Sequence, residues 1–340
     1  MFDLEQSRDA LRRYEKALAA GDRVKIVALV EELLDAGVAP LDIMTGVVAA
    51  AQRTIGERWQ RGEWSVAQEH AATAMAMAAT EAVTARLAKT PATRGHVIVA
   101  CAEREWHWLP AAIIGCALRG GGWETTLLGP ATSPQRLSHY VQDIGPVAVA
   151  ISCSVLGALP TTRRFIETST SAGVPVVVGG AAFGSDPVRA KALGATAWAA
   201  DAQGAVDAVA GLPVVVSAVP PLPQARAREQ AALELSHPHL VDRIRRQWSV
   251  TADSEPGPGQ AALRAAARDA LPQALYAVWA ALLTGDTRPL SETATWMADL
   301  LASRGVDAPS AIEELTTVLA TVLLDYPLSV ELVGDHFRLR

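Results

Sequence analysis

The run Gly95-His-Val-Ile-Val-Ala-Cys101 feeds into Ala102-Glu-Arg-Glu-Trp-His-Trp-Leu-Pro110, and Ala111-Ala-Ile-Ile-Gly-Cys-Ala-Leu118 follows. A short continuous apolar run reads as a strand buried on both faces, and the second apolar run as the helix that covers it. Ligands of open α/β sheets bind in the crevice beyond the carboxyl ends of the strands. The connecting loop carries Glu105 and His107 one residue apart, with Trp106 between them and Trp108 after. It can therefore place an imidazole in the crevice with a carboxylate beside it to fix the tautomer, which is what a metal-ligating histidine needs. On spacing alone, a loop histidine that merely hydrogen-bonds is an equal alternative.

Outward from this stretch, apolar runs at 96–101, 123–128, 146–152, 174–179 and 195–199 alternate with amphipathic segments near 109–119, 134–143, 160–171, 187–193 and 202–210. Five such units over 95–211 predict a parallel, doubly wound sheet of flavodoxin-like order 2-1-3-4-5. Three loops would then meet on one rim: Glu105–His107, Ser152-Cys-Ser154-Val155-Leu156, and Gly179-Gly180-Ala181. Paired glycines let backbone approach a ligand, and the serines supply hydroxyl groups. A dinucleotide site is not indicated, because no GxGxxG follows the first strand.

Ahead of the sheet, residues 1–90 read as a four-helix bundle. Its helices are Leu4–Ala20, Arg23–Asp35, one opened by Pro40 and reaching about Gln60, and one from Ser65 to about Leu87. Ser65 with Gln68 three residues on is a capping box. Ala71-Ala-Thr-Ala-Met-Ala-Met-Ala-Ala79 leaves the fourth helix with few bulky groups, which suits either close approach of a ligand or tight helix packing. Beyond the sheet, Pro213, Pro220, Pro221 and Pro223 mark a linker over 212–259. It includes a helix such as 225–235 or 240–248 and a break at Asp253-Ser-Glu-Pro-Gly-Pro-Gly259. Residues 260–340 read as a further helical domain, with helices near 260–284, 290–303 and 309–325 and a short tail.

Half of the 340 residues are hydrophobic, enough for two or three domains with proper cores. A net charge of −6 argues against nucleic acid as a direct partner, which would leave a basic footprint. No apolar run approaches the roughly 20 residues that span a bilayer. The start lacks an export signal, and the three cysteines share no metal-ligand spacing, so a cytoplasmic location with reduced thiols is expected. Nine tryptophans against four Phe and four Tyr suit a large flat ligand, although packing is the commoner use of any single one.

With these residues in place, the chain resembles the cobalamin-binding proteins. Glu105-x-His107 matches the acidic residue, gap and lower axial cobalt ligand of that superfamily. The Ser152–Leu156 loop and Gly179-Gly180 match the lining of the nucleotide tail, and a helical bundle precedes the sheet as it does there. The resemblance implies cobalamin bound with its own base displaced and His107 in that base's place. The chain departs from the pattern at Pro110, where glycine is usual, and at Ser154, where leucine is more usual. Trp59, nine residues, then Glu69-His70 is similar to the W-x9-EH signature of light-responsive adenosylcobalamin receptors. That implies Trp59 over the adenosyl group, Val66 and Glu69 beside it, and His70 able to approach cobalt after light breaks the cobalt–carbon bond.

The domain order is similar to that of the photocobilins, which join a cobalamin module to a bilin-binding domain. It implies biliverdin held non-covalently, since 212–340 has no cysteine. Arg245, Arg246 or Arg288 would take propionates, and His237, His239 or His336 pyrrole nitrogens. A docking or dimerisation domain is the alternative. The expectation is a homodimeric light sensor rather than an enzyme. A corrinoid carrier of a methyltransferase system and a regulator that has lost its cofactor are the rivals.

Overall fold

Asp22 accepts a hydrogen bond from the Lys25 backbone N–H at 3.0 Å, which caps one helix and separates it from the one before. The two are α1 (Leu4–Ala19) and α2 (Arg23–Asp35). The structure, a computed structural model, describes residues 4–103, 105–129, 132–252 and 260–339, so the break expected at 253–259 lies outside the described residues. The rod α3 starts at Pro40, where a missing N–H costs nothing, and runs to Gln60 as Pro40–Ile43, Met44–Val48 and Ala49–Gln60. Its middle segment has π geometry, which periodicity did not reveal. Helix α4 (Val66–Leu87) begins at the capping box. The Ser65 hydroxyl accepts from the Gln68 N–H, and the Gln68 side chain accepts from the Ser65 N–H at 2.9 Å. The described residues form two compact units, one of those up to Trp59 with Glu63–Val219 and the other of Gln60–Gly62 with those from Pro220 onward.

In the first unit, the strands are β1 (His96–Cys101), β2 (Glu124–Leu128), β3 (Ala148–Ser152), β4 (Val176–Gly179) and β5 (Ala197–Ala199). They pair in parallel in the order β2-β1-β3-β4-β5, as the hydrophobic pattern predicts. Between them come α5 (Leu109–Gly120), α6 (Pro134–Ile144), α7 (Leu159–Ser171) and α8 (Val188–Ala192), and α9 (Ala202–Ala210) follows the last strand. The register Cys101↔Ser152, Ser152↔Gly179 and Gly179↔Ala199 puts these four side-chain positions in one row across the sheet's carboxyl end. That face packs on α5 and α9, where Val97, Val99, Cys101, Ala150 and Val177 share a core with Ala111, Leu118, Ala205 and Val209.

Helix α5 is apolar on more than one side. Its Leu109, Ile113, Cys116 and Ala117 belong to the same core as Tyr14, Ile26, Val48, Ala72, Ala79 and Val83 of the bundle. Burying a Leu or Ile side chain contributes about 1.5–3 kcal/mol, so this seam holds the bundle on the sheet domain. The Thr84 hydroxyl and Cys116 Sγ, 3.2 Å apart, add a polar contact within it. Pro110 falls in the first turn of α5, where its missing N–H has no intrahelical carbonyl to lose, so the departure from glycine leaves the helix start intact.

The second unit is helical: α10 (Gln224–Gln247), α11 (Gln260–Thr284), α12 (Arg288–Ala302), α13 (Ala308–Val322) and α14 (Pro327–His336). Helix α10 corrects the sequence reading. The two short alternatives at 225–235 and 240–248 are one 24-residue helix that continues through Pro238. Its Leu233, Leu240 and Ile244 are buried, so this part of the expected linker is a packed element. The Trp248 indole N–H donates to the Ala311 carbonyl at 3.0 Å, and the Glu229 carboxylate accepts from the Leu328 and Ser329 N–H groups at the start of α14.

Candidate functional site at the carboxyl rim of the sheet

The loop after β1 is built around Glu105, whose side chain is wholly buried (0 % exposed). One carboxylate oxygen, Oε1, accepts from the His107 backbone N–H at 2.9 Å and lies 2.7 Å from His107 Nδ1. The other, Oε2, accepts from the Ser154 and Val155 N–H groups at 2.7 and 2.9 Å. A single carboxylate therefore ties the β1 loop to the β3 loop. A carboxylate can only accept, so Nδ1 carries the proton and the neutral ring keeps its lone pair on Nε2. The ring is 61 % exposed, and Nε2 has no partner among the described residues.

Burial works to raise the Glu105 pKa, but the hydrogen bonds from the His107 ring and backbone and from Val155 outweigh it and hold the carboxyl below its usual range. The hydrogen bond to Glu105 raises the His107 pKa against the opposing effect of burial, and the Glu105 and Glu69 charges add to it. Glu69 lies in the first turn of α4. The bundle thus brings an acidic group within electrostatic reach of His107.

The other expected residues fall as follows. Ser152 ends β3, is buried, and its hydroxyl has no partner among the described residues. Ser154 contributes its backbone N–H to Glu105, so the unusual side chain at that position is not what closes the loop. Val155 does the same, and Leu156 opens a short 3-10 turn, Leu156–Ala158. Gly179 ends β4. Gly180 has φ +104°, and a Cβ there would lie 2.4 Å from the Cys153 carbonyl oxygen. Ala181 is exposed at the head of the turn Ala181–Phe183.

Trp106 is 74 % exposed, whereas Trp108 packs against the core between the sheet and α5. Trp59 is half-buried at the end of α3, and Val66 is exposed. His70 is exposed. Its Nδ1 lies 2.7 Å from the Val66 carbonyl oxygen, which makes Nδ1 the protonated nitrogen and leaves the ring's lone pair on Nε2. The Glu69 carboxylate accepts from the Thr73 hydroxyl at 3.0 Å and lies 3.1 Å from His70 Nδ1.

Of the residues named for a bilin, the three arginines and His237 are engaged within the second unit. Arg245 and Arg246 both pair with Asp242, and Arg288 pairs with Asp286. His237 stacks on Tyr276 with ring centroids 4.9 Å apart. His239 is exposed and His336 half-buried.

No group of three or more His, Cys, Asp or Glu able to hold a metal ion occurs among the described residues. An imidazole prepared as a single ligand therefore suits a metal that arrives with its other ligands in place, as in a macrocycle. The row of small positions Ser152, Gly179 and Ala199, with an unsatisfied buried hydroxyl in it, fits insertion of a polar-edged ring between the sheet and its covering helices. Fold and site together suit a corrinoid-type ligand. Two family models, each described as a B12 binding domain, match residues 10–84 and 95–210. Cobalamin binding by this region is thereby supported.

The chain is 31 % identical over 173 residues to the HTH-type transcriptional repressor CarH of Myxococcus xanthus, covering 49 % of this chain and 56 % of that protein. It spans little more than half the length of that curated relative. The monomethylamine corrinoid protein of Methanosarcina barkeri has the same fold over 59 % of this chain and 96 % of its own, with a TM-score of 0.50 and 21 % identity. Among the described residues, no helix is long and apolar enough to cross a membrane.

Proposed function

We propose that the chain is a light-responsive cobalamin sensor with a regulatory rather than an enzymatic role. The observation that carries this reading is the His107 imidazole, proton-locked by buried Glu105, with Glu69 of the bundle near enough to raise its pKa. A lower ligand and the acidic start of a covering helix thus serve one cleft. When bound, adenosylcobalamin supplies a cobalt–carbon bond that visible light cleaves.

In this reading His107 would hold the cobalt through Nε2, with Glu105 keeping the proton on Nδ1. Ser152 would meet the edge of the cofactor's base. Trp59, Val66 and His70 would line the bundle side of the site, His70 with its lone pair on Nε2. Regulation is inferred from the likeness to a transcriptional repressor over 173 residues. The helical unit takes the output part, by docking or dimerisation. A bilin is the weaker assignment for it, because Arg245, Arg246 and Arg288 already pair with carboxylates.

The test is the full chain reconstituted in the dark with adenosylcobalamin, with and without biliverdin, then illuminated with green light. A changed corrin spectrum together with a changed association state is expected. Bound cofactor with neither change refutes the sensor, and methylation of the reduced holoprotein by a methyltransferase establishes the carrier instead. His107→Ala should shift the bound spectrum and weaken binding, and indifference to that change would remove the cobalt ligand from the scheme.

A further inference from the structure

The last carbonyl of α3 is capped by residues far along the chain. Gln60, which ends that helix, belongs with Arg61 and Gly62 to the second compact unit, whereas Trp59 just before it belongs to the first. Within the second unit, Arg304 Nη1 donates to the Gln60 carbonyl at 2.8 Å, and the Ser303 hydroxyl oxygen lies 3.0 Å from it. The guanidinium lies over Gly62, where φ is +73° and a Cβ would stand 3.7 Å from Arg304 Cζ. A helix leaves its final carbonyls without intrahelical donors, and a cation there also meets the negative end of the helix dipole.

The same two side chains cap the end of α12. Ser303 Oγ lies 2.9 Å and Arg304 Nη1 2.8 Å from the Leu300 carbonyl, and Nη1 donates to Ser303 Oγ at 3.0 Å. A hydroxyl has one proton, so Ser303 can serve Gln60 or Leu300 but not both at once. The cluster therefore has two arrangements, one shared between Gln60 and Leu300 and one turned wholly to Leu300. Withdrawal of Gln60 orphans neither donor. An element with two such arrangements is what coupling between sites requires.

We propose, on the light-sensor reading above, that Ser303 and Arg304 are positioning residues that fix the turn of α3 carrying Trp59, and that the helical unit registers a displaced Trp59 as loss of this cap. Trp59 and Gln60 are consecutive in one helical turn, so a shift of the first backbone position moves the capped carbonyl with it. Hydrogen bonds weaken steeply with misalignment, so a displacement on the order of 1 Å hands both donors to Leu300. Coupling is reciprocal, so the cap in turn favours the dark position of Trp59.

The test uses the full chain reconstituted in the dark with adenosylcobalamin. Amide hydrogen exchange over 58–64 and the association state are followed before and after green light, with corrin spectra and melting temperatures alongside. In the wild type, exchange over 58–64 should quicken by about fivefold or more on illumination, the lower end of common coupling between sites. Arg304→Met should exchange fast there already in the dark, change by less than about twofold with light, and lose the association response while its corrin photolysis stays intact. Arg304→Lys keeps a cationic donor and should recover part of the response. Arg304 is engaged elsewhere as well, so Ser303→Ala is the narrower change. It should weaken the response at an unchanged melting temperature, and it serves if Arg304→Met does not fold. A wild type that photolyses with no change over 58–64 or none in association overturns the proposal, as does a full association response in Arg304→Met. A wild type whose corrin spectrum ignores light sinks the sensor reading itself, which keeps the two failures apart.

Discussion

Glu105→Gln alters one atom of the site and forces a choice between two hydrogen-bonding arrangements. The native carboxylate accepts from four donors, Ser154 and Val155 on one oxygen and the His107 N–H and Nδ1 on the other. An amide keeps one acceptor and turns a second donor group toward one of those pairs. With its nitrogen facing Ser154 and Val155, two partly buried backbone N–H groups lose their acceptor, at about 1–3 kcal/mol each. With its nitrogen facing His107, only the backbone N–H is orphaned, because the ring can move its proton to Nε2 and accept at Nδ1. The second arrangement is favoured by about 1–3 kcal/mol, one orphaned donor fewer.

Glu105→Gln should therefore lower stability to urea by about 1–3 kcal/mol at constant m-value. It should also convert neutral His107 to the Nε2–H tautomer, read from imidazole nitrogen chemical shifts, and weaken corrinoid binding because the ligating lone pair is lost. A variant with an unchanged urea midpoint and His107 still protonated at Nδ1 would refute the reasoning.

The pH dependence follows from the same pair. Glu105, held low, stabilises above its unfolded pKa of about 4.3 and loses that contribution as pH falls through its folded value. His107, held high, stabilises below its unfolded pKa of about 6.5 and loses that contribution as pH rises through its folded value. The melting-temperature gap between cofactor-free wild type and His107→Ala should peak between about pH 4.5 and 6.5 and shrink toward pH 9. Gly180→Ala meets a backbone oxygen that cannot swing away and adopts a left-handed φ, so a loss of about 2–5 kcal/mol in chemical unfolding is expected. Ser65→Ala removes the cap that starts α4 ahead of Glu69 and His70 and should cost about 1 kcal/mol in the same assay, with no cost if the box is idle.

The sheet was legible because both its signals are local. Strands buried on two faces read as unbroken apolar runs, and the helices between them keep their period, so the strand order followed from connection rules. The Glu105–His107 pair was legible for a related reason, since two residues separated by one can meet without help from the fold. The other half of the Glu105 arrangement was not, because Ser154 and Val155 lie about fifty residues away and contribute backbone groups, which every sequence position carries. Helix α10 was missed at Pro238. A proline ordinarily breaks a helix, but this one is exposed, so its ring meets solvent rather than a packed neighbour. Trp108, in the same loop as His107, lies half-buried against the core, a placement composition cannot report.

Helix α5 is shared between the sheet, the bundle and α9 and keeps almost no surface of its own. Leu118 and Ala111 belong to the sheet, Leu109, Ile113 and Cys116 to the bundle, and His107 stands two residues ahead of its first turn. Cutting the chain between Leu87 and Gly95 would thus leave each fragment with a sticky wound rather than a finished surface. For the same reason, a tug on the bundle would travel down this shared spindle to the residue just ahead of it, without any dedicated lever.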